Sequence, residues 1–151
     1  MTTVVPGVAL RQARDARGVV FEPLDTGRLA TQRNVHVVLS APGTIRGNHF
    51  HRVLHEVTVV VGPARVAWRP AYVAPVSGVA EAAEAATPPG ETPAPVETVD
   101  VPSGEAWRFE FPPGIAHAYL NTGHETQVLV AFSSEPHDPA NPDTYRDVLL
   151  G

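Results

Sequence analysis

The chain has 151 residues, 43% of them apolar, the size of one ordinary domain with a single core. Sixteen acidic against eleven basic residues leave a formal charge of −5, and no basic run offers the phosphate-neutralising stripe a nucleic-acid partner needs. With no cysteine there is neither disulfide nor thiolate ligation, and every cation is an arginine, so Schiff-base and lysine-base mechanisms are excluded.

In chain order, the opening residues lack the basic and long apolar stretches of a secretory leader, and no run approaches the roughly eighteen apolar residues of a membrane span. A cytoplasmic protein without a membrane partner is expected. Residues 8–17 suggest a short helix. Short Val-rich runs then predict strands over 19–23, 34–40, 47–52, 56–61, 64–69, 97–101, 106–111, 116–121 and 126–132. Between them stand the turn signals Ala41-Pro42-Gly43, Gly62-Pro63, Pro102-Ser103-Gly104, Pro112-Pro113-Gly114 and Asn121-Thr122-Gly123. This spacing describes an all-β sandwich or small barrel with little helix. Residues 80–95 mix Ala, Glu, Thr and Pro without apolar periodicity and read as a flexible insertion loop, with a lid over the barrel mouth as the functional alternative. Residues 143–150 follow Asn141-Pro142, which predicts a final helical turn capped by Asn141 or Asp143.

One constellation carries chemistry. His49 and His51 are one residue apart, so along a strand both imidazoles project to the same side; Glu56 opens the following strand. The tight turn Pro112-Pro113-Gly114 can aim His117 inward. Three imidazoles and a carboxylate suit a divalent transition ion, Zn²⁺ first and Fe²⁺, Ni²⁺ or Mn²⁺ as alternatives, and leave coordination positions open for water or substrate. The competing reading is a set of hydrogen-bonded core histidines.

The same residues resemble the cupins. Gly43, His49, His51, Glu56 and, one residue short, Gly62 follow the first cupin motif. Pro112, Gly114, His117 and Asn121 follow the second, with Gly104 too far upstream. Asp15-Ala16-Arg17-Gly18 and Arg46-Gly47-Asn48-His49-Phe50-His51 look like segments of the RmlC-like deoxysugar epimerases and ketoisomerases. The run from Asp138 to Tyr145 looks like the tail of the C-terminal cupin of CapF-type capsular polysaccharide reductases. The resemblance implies one cupin domain over 1–151, a double-stranded β-helix or jelly-roll barrel. It also implies His49, His51, Glu56 and His117 as ligands of one divalent ion, and a nucleotide-linked keto sugar as substrate.

Around this centre, Tyr119 lies two residues beyond His117 and should share its face, as a proton donor or as barrel filling. His55 is a candidate base, although strand alternation would turn it away from Glu56. Arg46 suits a substrate carboxylate or diphosphate, or a surface ion pair. Trp68 and Phe109 are candidates for substrate contact, against simple packing. His36, His124 and His137 carry no motif and read as surface or turn residues.

The leading function is an isomerase or epimerase acting next to a carbonyl, with the metal stabilising the enolate. The base stays open between His55, a hydroxide generated at the metal and a histidine outside the metal set. Sugar 3,5-epimerases of the superfamily place a lysine or similar cation by the enolate, and this chain must use the metal or an arginine instead. No Gly-x-Gly-x-x-Gly loop occurs, so hydride transfer is not expected. A cyclase or dehydratase working on a polyketide-like natural product, an iron dioxygenase and a non-catalytic small-molecule-binding cupin are the alternatives. Barrels of this kind leave edge strands, and covering them by pairing an N-terminal strand with a second barrel makes a homodimer the expected assembly.

Overall fold

Valine-rich runs punctuated by glycine and proline dictate extended chain, and the computed structural model, which describes residues 7–72 and 87–151, is built almost wholly of strands. They are β1 (Val8–Ala9), β2 (Gln12–Asp15), β3 (Gly18–Phe21), β4 (Asn34–Ser40), β5 (Ile45–Phe50), β6 (Glu56–Val61), β7 (Ala64–Pro70) and β8 (Glu97–Val101). The series continues with β9 (Ala106–Phe111), β10 (Ile115–Asn121), β11 (Gln127–Ser133) and β12 (Tyr145–Arg146), and a single turn of helix, α1 (Thr26–Leu29), precedes β4. One antiparallel sheet runs β1-β9-β6-β11-β4 and a second runs β12-β5-β10-β7-β8, while β2 and β3 form a separate hairpin.

The two sheets pack face to face. Val60, Phe109, Phe111 and Leu129 from the first meet Val66, Trp68 and Tyr119 from the second in one buried cluster. Each such side chain removed from water contributes on the order of 1.5–3 kcal/mol. β6 is buried on both faces, which is why its Val-rich sequence does not alternate with polar residues. Val57 and Val59 on its outer face are covered by Leu24 and Phe132, with Leu10 and Phe21 packed against them. The N-terminal segment thus sheathes the outside of the first sheet over β6. Beyond it, the outward residues of edge strand β4 lie bare: Val35, Val37 and Leu39 are 55%, 60% and 61% exposed.

Two expected helices are absent. Val8–Ala9 instead pairs with the edge of β9, and Gln12–Asp15 pairs with β3 across a turn in which the Asp15 carboxylate accepts the Arg17 backbone N–H. Near the other end, Tyr145–Arg146 pairs with β5. The pairing edge decides, and short-range propensity does not reveal it. The one helix among the described residues has no counterpart in the sequence reading although its cap is legible: Asp25 accepts the Arg28 N–H at 2.8 Å. Of the expected 80–95 loop, residues 80–86 lie outside the described residues; 87–95 contain a turn in which Glu91 N–H donates to the Pro88 carbonyl, and no strand.

Candidate metal centre

β5, β6 and β10 deliver the four sequence-predicted ligands to one point. His49 is the penultimate residue of β5, opposite His117 in the β5–β10 register; His51 follows the end of β5, and Glu56 opens β6 in the facing sheet. Their ligand atoms all lie within 4.8 Å of one another. Two glycines permit this. Gly47 has φ 83°, and a Cβ there would stand 2.7 Å from the His117 carbonyl oxygen, so β5 and β10 approach only with glycine at that position. Gly114 takes φ 84° in the Pro112-Pro113-Gly114 turn, and its N–H donates to the His51 carbonyl at 2.7 Å, tying the two histidine segments together.

The hydrogen bonds of the rings decide their chemistry. His51 Nδ1 lies against the Asp143 carbonyl at 2.5 Å and His117 Nδ1 against the Ile115 carbonyl at 3.1 Å. A carbonyl oxygen only accepts, so each Nδ1 carries a proton, and in its neutral form each ring presents its Nε2 lone pair. Those Nε2 atoms stand 3.2 Å from the two Glu56 carboxylate oxygens, yet neither makes a hydrogen bond among the described residues. Buried acceptors facing acceptors repel, and a shared cation turns the repulsion into coordination. The donor set therefore fits a divalent ion of the zinc, iron, nickel or manganese type.

Electrostatics agree with that fit. Burial alone would raise the Glu56 carboxyl, but His117 and His51 pull it far below the usual carboxylate range. Burial likewise would lower His51, yet the Glu56 carboxylate and the Asp143 carbonyl raise it, the same attraction acting on a proton. Burial, followed by the neighbouring His117 and His51, pushes His49 down to about 3, leaving its ring neutral and free to ligate. Phe111 stacks on His117 at 4.4 Å with planes 15° apart, fixing the innermost ring.

A cavity of about 790 Å³ opens over His49, His51 and Glu56, walled by β4, β11 and the 135–144 segment. Tyr119 and Arg46 both line it. Tyr119 donates its hydroxyl to Thr58 Oγ1 at 3.0 Å; burial and then the Glu56 charge push its phenol well above the ordinary value, so it stays protonated. Two expectations are corrected. Trp68 and Phe109, taken as substrate contacts, are 5% and 1% exposed within the barrel core and do not line the cavity, because their inward faces are spent on packing. His55, a candidate base, also lies outside the cavity; its backbone is held by Ser134 through the N–H and the carbonyl. His36 and His137, read as surface or turn residues, are exposed and also stand on the cavity wall. His36 shares the face of β4 that carries Val38, and that alternation was the available signal. The His137 position depends on a loop path that no local pattern encodes.

No known family profile matches the chain, and no curated protein matches it. Solved structures do. The capsular polysaccharide assembling protein CapF of Staphylococcus aureus is similar over 93% of this chain, with 24% identity and a TM-score of 0.60. This chain spans only 34% of that protein's length. ChmJ, a 3'-monoepimerase from Streptomyces bikiniensis solved with dTDP-quinovose, is similar over 93% of this chain and 67% of its own, at 18% identity and a TM-score of 0.64. QdtA, a sugar 3,4-ketoisomerase from Thermoanaerobacterium thermosaccharolyticum solved with TDP, is similar over 97% of this chain and 90% of its own, at 17% identity and a TM-score of 0.56. At such identities the likeness concerns architecture, and with the two facing antiparallel sheets it shows that the chain has the fold of the RmlC-like cupins.

Proposed function

We propose that the chain is a metal-dependent isomerase or epimerase acting alpha to a carbonyl, on a nucleotide-linked keto sugar or a related natural-product intermediate. The observation that carries this reading is the pair of buried, unpartnered Nε2 atoms of His51 and His117 turned on Glu56, beside an open cavity that His49, His51 and Glu56 line. An epimerase and a ketoisomerase among the similar structures support the reaction class. His49, His51, Glu56 and His117 would hold the ion, zinc before iron, nickel or manganese. When bound, that ion supplies Lewis-acid stabilisation of the charge that develops on a carbonyl oxygen as the neighbouring C–H loses its proton.

The remaining steps belong to side chains. Tyr119, held protonated, is the proton donor. The base falls to a histidine on the cavity wall outside the metal set, His36 or His137. Arg46 at the wall offers a planar fork to an anionic group of the substrate. The test is deuterium uptake from D₂O at the carbon beside the ketone of a nucleotide-linked 4-keto sugar, with metal content measured in parallel. Uptake that requires zinc, and that weakens in His36→Gln or His137→Gln, is expected; uptake that survives complete metal removal sinks the reading.

One observation favours the natural-product branch. Among the described residues, Arg46 is the single arginine on a cavity wall that also carries Glu56, Glu135, Asp138 and Asp143. A diphosphate would meet a wall poor in cations, whereas an uncharged polyketide-like intermediate, cyclised or dehydrated there, would not. Calorimetry with thymidine diphosphate separates the two: tight binding supports the nucleotide sugar, and its absence supports the uncharged substrate. The same reading includes a homodimer, in which a second copy covers the bare β4 face.

A further inference from the structure

The segment from Asp143 onward is tied at several points to the histidine strand and to the turn after it. The Asp143 carboxylate accepts the backbone N–H groups of Arg52, Val53 and Leu54 at 2.9, 2.8 and 2.9 Å, closing the turn between His51 and Glu56. Its own carbonyl takes the His51 Nδ1 proton. Asn48, in the left-handed region at φ 55°, accepts the N–H groups of Leu149 and Leu150 through Oδ1 at 2.9 and 3.1 Å and donates Nδ2 to the Leu150 carbonyl at 2.8 Å. The Asn48 carbonyl accepts the Asp147 N–H, and Asp147 pairs with Arg69 of β7 at 2.5 Å. Satisfying this many donors and acceptors around one strand end costs chain entropy, so the segment reads as a built brace.

We infer that residues 143–150 form a strap that sets the affinity of the metal centre through His51. Asp143 is a positioning residue: its carboxylate holds the 52–54 turn, its carbonyl holds the His51 proton on Nδ1, and the lone pair of Nε2 is thereby kept on the ligand side. Asn48 is the second anchor, clamping the far end of the strap to the strand that bears His49. The inference rests on the metal-binding part of the proposed function. The wall residues Asp143 and Thr144 belong to the same segment, so whatever occupies the cavity touches the strap directly.

Zinc dissociation constants, measured by chelator competition on the unaltered chain and on Asp143→Ala, test it. The variant should bind zinc about 10–100-fold more weakly, the range for loss of a group that orients a ligand. Long-range ¹H–¹⁵N spectra of the metal-free proteins should show His51 as the Nδ1-protonated tautomer in the unaltered chain and as a mixture in the variant. Should Asp143→Ala fail to fold, Asn48→Gly keeps the left-handed backbone, releases the anchor and should weaken zinc in the same direction. Unchanged zinc affinity in the folded variant overturns the strap and leaves the metal reading standing, and so does weakened affinity with an unchanged His51 tautomer. An unaltered chain that does not bind zinc overturns both.

Discussion

Tyr119 and His49 are the two residues whose surroundings make the sharpest demands. Tyr119 is buried, protonated and hydrogen-bonded to Thr58. Replacing it with Phe should leave zinc content unchanged and cost about 1 kcal/mol for the lost hydrogen bond. It should slow deuterium uptake by about 10²-fold or more, as for a general acid; an unchanged rate would reduce Tyr119 to packing. His49 carries the pH dependence. Its folded-state value near 3 lies below the unfolded value of about 6.5, so the unfolded chain takes up a proton that the folded metal-free chain refuses. That stabilising contribution is complete above about 6.5 and is lost progressively as pH falls towards 3. His51, which is raised, acts with the opposite sign. In chelator-treated protein the urea midpoint should fall between pH 7 and 5, and His49→Gln should flatten that fall while leaving His51 in place.

At the scale of elements, the β5–β10 pairing is the frame of the site, and Gly47 is where it is most exposed to damage. Gly47→Ala would combine a left-handed backbone with a Cβ 2.7 Å from the His117 carbonyl oxygen. A loss of about 2 kcal/mol or more is expected, visible as a lowered thermal midpoint together with weaker zinc binding. Legibility follows the same lines. Four strands, β4, β6, β8 and β9, begin and end where the sequence places them, because Val-rich runs bounded by Gly, Pro and Ser carry their own punctuation. The two-residue strands β1 and β12 have no such signature; they exist because β9 and β5 offer an unpaired edge. The convergence of His49, His51, Glu56 and His117 was legible from spacing. The brace by Asp143 and Asn48 was not, since it joins segments about ninety and one hundred residues apart in sequence. Nor was the fate of Trp68 and Phe109, since an aromatic facing inward fills whatever core lies opposite.

For the whole molecule, the half-sheathed first sheet matters most. The N-terminal segment covers β6, while Val35, Val37 and Leu39 on β4 remain in water together with half-exposed Val128 on β11. A contiguous apolar edge of this sort invites pairing with another chain. Light scattering should report a dimer, and Val37→Glu should shift it towards monomer without changing zinc content; a monomeric unaltered chain rules the homodimer out.

One neighbour of His117 has an optical consequence. Trp68 stands across from His117 in the β7–β10 register, so the two side chains leave the same face of adjoining strands. An open-shell cation such as Ni²⁺ or Cu²⁺ seated on His117 should therefore quench the indole emission of Trp68, leaving Trp107 on β9 as the reference. Loading could then be followed by fluorescence in the unlabelled molecule.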